Sequence, residues 1–185
     1  LQGEGWRRVS DLWQNCAELR GRIARPSGAA RACGSICASC TIGDVACQHF
    51  SPRHGHFEPR RTAAFAASGF FVLGPVSYTF LTTATSLFPG ASTAAIARRI
   101  FAISCLEPIR LGVFLPATQL FQGYSVERAL QKARDETLDA TWRSWAVFTV
   151  PLFVGFRYLR PENRVPLLSA VGACWNTYLS WLAST

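Results

Sequence analysis

The sequence predicts an all-α integral membrane protein, a helical bundle of about four spans preceded by an amphipathic N-terminal helix. Three observations carry this. The 185 residues are 49% hydrophobic and only 16% charged, against roughly 25% charged in an average soluble domain. No charged residue occurs over the 36 positions from Thr62 to Ala97, or over the 21 from Val165 to Thr185, and a span needs roughly 20 mostly apolar residues. The basic residues, all arginine except Lys132, sit between the apolar runs, where loops and lipid headgroups place them. The length suits one domain. A net charge of +8 without a basic stripe on a polar fold gives no reason to expect a nucleic-acid partner. The competing reading is a soluble helical protein with a large alanine-rich core, which a mean hydropathy of +0.15 permits.

Residues 1–25 read as the amphipathic helix. Trp6, Val9, Trp13 and Cys16 recur at helical spacing, and Arg7, Arg8, Arg20 and Arg22 lie mostly off that stripe. Such a helix lies in the membrane interface or docks on protein. Residues 29–50 form the first span, rich in Ala, Gly, Ser and Cys, which lets helices approach closely. Asp44 and Gln48 lie one turn apart in it, and an acid at membrane depth must face protein or water. Residues 51–61 read as a loop, with two prolines, a glycine and three arginines. The second span covers 62–87, where Pro75 removes a backbone donor and is expected to kink the helix. The third covers 93–122. Glu107 and Arg110, three residues apart, can neutralise each other there, and Pro108 and Pro116 are expected to bend it.

Residues 124–143 alternate in charge sign like a solvated helix. Ser144–Tyr158 is apolar but short, with Pro151 in its middle. It is either half-inserted or joined to the following segment. Val165–Ser184 is the last span. Trp6, Trp13, Trp142, Trp145, Trp175 and Trp181 are the candidate interface aromatics.

The chemical motifs are thin. Cys33-x3-Cys37-x2-Cys40 has the spacing of a radical-SAM cluster site, but too little chain remains for the barrel that would hold one. Cys33, Cys37, Cys40 and Cys47 share a helical face, so they read as small packing residues. His49, His54 and His56 lack a regular scaffold and a fourth ligand for a metal. Neither a hydrolytic triad nor a phosphate-binding glycine loop is present. The expectation is therefore no catalytic residue, no cofactor and no metal. Asp44, Gln48, Glu107, Arg110 and Asn176 are the candidate buried polar or pore-lining residues. The absence of methionine is what is expected if an organellar presequence is removed or if an upstream segment lies outside this sequence.

The order of motifs from Leu12 to Trp181 resembles the Mpv-seventeen/peroxisomal-membrane-protein family of small polytopic organellar proteins. The resemblance rests on Leu12-Trp13, Pro26, Gly43-Asp44-x3-Gln48, Arg61-Thr62, Gly69, Gly74-Pro75 and Phe88-Pro89-Gly90. It continues through Pro108, Leu111-Gly112, Phe114-Leu115-Pro116, Trp145, Phe156, Arg164 and the closing Trp175-Asn176-Thr177-Tyr178-Leu179-Ser180. It implies one transmembrane domain over 26–185 after the N-terminal helix. It also implies an organelle membrane, most often the mitochondrial inner membrane and otherwise a peroxisomal or plastid one. Members are thought to form pores or to affect solute homeostasis without catalysis. This chain departs from the family at Ala102-Ile103, Ser144, Phe148-Thr149, Leu152 and Gly155, where the resemblance implies polar or differently shaped residues. A water-filled pathway needs polar lining. The departures therefore favour a non-enzymatic accessory subunit of a larger complex, such as a respiratory or ATP-synthase assembly, with membrane lipids and other subunits as partners. The alternative is a pore or channel for small solutes.

Overall fold

The computed structural model describes residues 26–50, 56–90 and 92–184. The expected N-terminal helix, with Trp6 and Trp13, lies outside the described residues. All regular structure among the described residues is helical. We number the helices α1 (Pro26–Phe50), α2 (Pro59–Leu87), α3 (Thr93–Gln122), α4 (Val126–Tyr158) and α5 (Pro161–Ser184). Both α2 and α3 are long and apolar enough to cross a membrane. The helices close a ring in which α1 packs on α5 and α2, α3 on α2 and α4, and α4 on α5.

Two expected boundaries move. Pro59, Arg60 and Arg61 are not loop but the first turn of α2. Proline at the first helical position loses nothing, because that N–H has no intrahelical acceptor. Ser144–Tyr158 does not join the following segment. It continues the charged stretch as one 33-residue helix, and the chain breaks only at Leu159, whose backbone is extended. Pro151 is accommodated within that helix.

Two of the prolines inside the spans are handled locally. A π-turn over Gly69–Leu73 precedes Pro75, with the Gly74 N–H reaching back to the Gly69 carbonyl. This widening takes up the ring without ending the helix. Pro108 deprives the Ser104 carbonyl of its intrahelical donor. Trp145 Nε1, from α4, donates to that carbonyl at 3.0 Å. Trp145→Phe should cost about 1–3 kcal/mol, the usual penalty for a buried acceptor left bare. A denaturant titration of the variant beside the parent checks this.

The α3–α4 turn is closely specified. Gly123 takes the left-handed conformation at φ 91°. Its N–H meets the Leu120 carbonyl and that of Tyr124 meets Gln119, a closure that suits glycine. Ser125 then caps α4, its hydroxyl accepting from the Arg128 N–H, as Ser92 caps α3 from Ala95.

The core lies between the helices. Cys40, Phe65, Leu111, Phe114, Leu115, Trp175 and Leu179 form its main cluster. Small residues set the spacing. A Cβ at Gly74 would lie 2.8 Å from Cys33 Cα, and one at Gly69 2.8 Å from Cys40 Sγ. Cys33, Cys40 and Cys47 are buried, as packing residues would be. Trp175 departs from its expected interface role. It is buried at 5% exposure, with its ring 6.1 Å from Phe148 and 4.9 Å from Tyr178. Trp142 and Trp181 are exposed, and Trp145 is half-buried.

Candidate functional site

The five candidate polar residues fall into two buried groups. The first ties three helices together at one end of the bundle. Asp44, on α1, is fully buried. Its Oδ1 accepts from Arg61 Nε at 2.9 Å and from Ser180 Oγ at 2.6 Å. Its Oδ2 accepts from Thr62 Oγ1 at 2.7 Å and Gln48 Nε2 at 2.6 Å. Arg61 Nη2 also donates to the Ser180 carbonyl at 2.8 Å and to Ser180 Oγ. Gln48 Oε1 accepts the Glu58 N–H at 2.6 Å, and its amide donates to the Glu58 carbonyl and Thr62 Oγ1.

This arrangement follows from helix ends. Arg61 sits in the first turn of α2, where a cation opposes the helix dipole. Asp44 supplies the opposite charge, and Gln48 meets an N–H that the helix start leaves unpaired. Both carboxylate oxygens have two donors each, so the cluster binds α1, α2 and α5 to one another. Gln48 and Asp44 were recognisable from their spacing. Arg61, Thr62 and Ser180 stand in the sequence only as motif residues, and their role as partners of Asp44 appears with the fold.

The second group lies mid-bundle. Glu107 accepts from Arg110 Nε at 2.7 Å and from Arg110 Nη2. Ser144 Oγ, on α4, donates to Glu107 Oε1. The Arg110 guanidinium lies 5.9 Å from the Phe148 ring centre. Asn176 Nδ2, on α5, donates to Ser39 Oγ on α1 at 3.0 Å. Glu107, Arg110, Ser39 and Asn176 line a cavity of about 130 Å³ reached by all five helices. Its remaining wall is largely apolar. Ile103, Phe148 and Leu152, three positions where this chain departs from its resemblance, face it together with Leu168. Asp44 and Gln48 do not line the cavity, so the sequence-based set of five divides between a tie and a cavity wall.

Comparison with known proteins gives this arrangement a context. A family model described as the Mpv17 / PMP22 family matches residues 119–180. The chain is 28% identical over 146 residues to the mitochondrial inner membrane protein Mpv17 of Danio rerio. That alignment covers 77% of this chain and 82% of the relative. It is 29% identical over 151 residues to protein SYM1 of Gibberella zeae, with the same coverage. The chain is thus similar to members of the Mpv17 / PMP22 family over most of its length. The human Mpv17 protein is 25% identical over 145 residues. No solved structure matches. The names of these relatives support the mitochondrial inner membrane as the location of this chain. The matched segment 119–180 contains α4, Asn176 and Ser180, and so contributes to both polar groups.

Proposed function

We propose that this chain is a non-enzymatic accessory subunit of a larger inner-membrane complex, of the respiratory or ATP-synthase kind, embedded in lipid and contacting other subunits. The single observation that carries the reading is the apolar wall of the central cavity. Ile103, Phe148, Leu152 and Leu168 face it, and the Glu107–Arg110 pair is internally neutralised and held by Ser144. A solute pathway needs a continuous polar lining to replace water around the solute. The scaffold is kept while that lining is interrupted, which suits a structural role. The test is native separation of inner-membrane extracts in mild detergent. Co-migration with an assembly much larger than two copies is the expected result. Migration only as a monomer or dimer overturns the reading.

The rival reading, a pore for small solutes, draws on Glu107, Arg110 and Asn176 at the cavity. Reconstituted conductance that Glu107→Gln abolishes would establish the pore and sink the accessory role.

A further inference from the structure

The α2–α3 turn and the α4–α5 break lie at the same end of the bundle, because α2 and α4 run parallel and both finish there. The chain puts five arginines at this end, Arg98, Arg99, Arg157, Arg160 and Arg164, against the single acid Glu162. At the opposite end, the charges that open α4 alternate in sign. The N-termini of α3 and α5 add their positive dipole ends to the arginine side.

Two of these arginines converge on one ring. The Arg99 guanidinium lies 5.3 Å from the Phe156 ring centre and that of Arg164 5.2 Å from it. Arg99 Nε donates to the Phe88 carbonyl at 2.6 Å, and Nη2 donates to that of Gly90. Arg164 Nε donates to the Gly155 and Leu159 carbonyls at 3.1 and 3.3 Å. These partners fix where the guanidiniums sit, but carbonyls and a ring carry no net charge. Arg99 is 4% exposed, and among the described residues no carboxylate pairs with it. The other buried charges, Asp44, Arg61 and Glu107, are each neutralised within the bundle. A buried cation without a counter-charge is costly, so Arg99 calls for an anion. Depth decides which one. Helix α3 has 30 residues, about 45 Å at 1.5 Å per residue, against an apolar bilayer core of about 30 Å. Arg99, in its second turn, stands near the border of tails and headgroups. Tyr158, 72% exposed beside Arg157, is a residue type of the same depth. The anion abundant at this level is the phosphodiester of a phospholipid. A guanidinium takes phosphate through two parallel N–H bonds, and basic pockets between helix ends take anionic headgroups. A zwitterionic headgroup brings an ammonium to a patch already rich in cations, which disfavours it.

We propose that Arg99 and Arg164, with the exposed Arg98, Arg157 and Arg160 at the same end, hold the phosphate of an anionic phospholipid. The site does not depend on the accessory reading. Native mass spectrometry of the full chain in detergent, titrated with phosphatidylglycerol or with phosphatidylcholine, tests it. The parent should bind phosphatidylglycerol about tenfold more tightly, the scale of one hydrogen bond to a charged group. Arg99→Gln should remove most of that preference. Arg98→Gln/Arg160→Gln changes only exposed side chains, so it should fold even if the Arg99 variant does not, and it should weaken phosphatidylglycerol binding several-fold. Arg134→Gln, towards the opposite end, should bind as the parent does. Helical circular dichroism separates loss of binding from loss of fold. Equal affinity for the two lipids, a folded Arg99→Gln that keeps the preference, or an Arg134→Gln loss as large as that of the double variant would overturn the proposal. Glycerol 3-phosphate at millimolar concentration should leave the lipid in place. Displacement would mean that a free phosphate is the ligand and would overturn the lipid assignment. A chain that binds the anionic lipid yet migrates only as a monomer would refute the accessory reading and leave this site standing.

Discussion

Asp44→Ala is expected to destabilise the bundle by about 3–5 kcal/mol, the usual cost of leaving one partner of a buried ion pair uncompensated. The reasoning starts at Arg61. Its guanidinium is buried, and Asp44 is the carboxylate it pairs with, at 2.9 Å. Removing the acid also strips acceptors from Ser180, Thr62 and Gln48, each of which donates to it within 2.7 Å. Three helices thus lose a shared contact at once. The double variant Asp44→Leu/Arg61→Met should recover a large part of the loss, since replacing both charges by apolar groups of similar size is often neutral or better. An SDS or urea titration of the parent and the two variants in detergent reads this directly. A loss below about 1 kcal/mol for Asp44→Ala, the range of an exposed pair, would show that water reaches the site.

How much of this was legible beforehand differs by element. The charge-free runs located α2 and α5 because a span must be predominantly apolar, and that property is local in sequence. The cysteine face of α1 was legible for the same reason, and Cys33, Cys40 and Cys47 do pack inward. What composition could not reveal was direction. Arg61 stands in a Pro-Arg-Arg string that reads as a headgroup contact, yet the first turn of α2 aims it at Asp44. Trp175 carries the residue type of an interface belt, but the same face of α5 that brings Asn176 to Ser39 turns the indole into the core. The unity of α4 was hidden by its change of composition at Ser144 and by Pro151. Backbone hydrogen bonding runs through both without interruption of the helix, since one missing donor is a smaller loss than ending a helix inside a bundle. The π-turn before Pro75 left no sequence signal beyond Gly69 and Gly74.

The tightest helix contact makes the second large prediction. Gly43 on α1 faces the backbone of α5. A Cβ there would lie 2.6 Å from Asn176 Cβ and 2.8 Å from both the Asn176 carbonyl carbon and the Thr177 nitrogen. Two of those three atoms are main chain, so no rotamer change relieves the clash and the helices must separate. Overpacking of this kind costs about 1–3 kcal/mol. Here separation also stretches the Asn176–Ser39 bond, 3.0 Å, and the Ser180–Asp44 bond, 2.6 Å, so Gly43→Ala should fall at the upper end and Gly43→Val beyond it. Gly34 lies on the same helix with nothing within 4 Å of its Cβ position. There alanine adds helix propensity without a clash and should stabilise by about 0.5–1 kcal/mol. The two glycine-to-alanine changes are chemically identical and sit in one helix, so opposite signs in the same denaturant titration isolate the α1–α5 contact as the cause. Equal effects would mean that α1 and α5 are not held at this distance. If they are, Gly43→Val should also loosen the Asp44 cluster, and its loss should then be less than additive with that of Asp44→Ala.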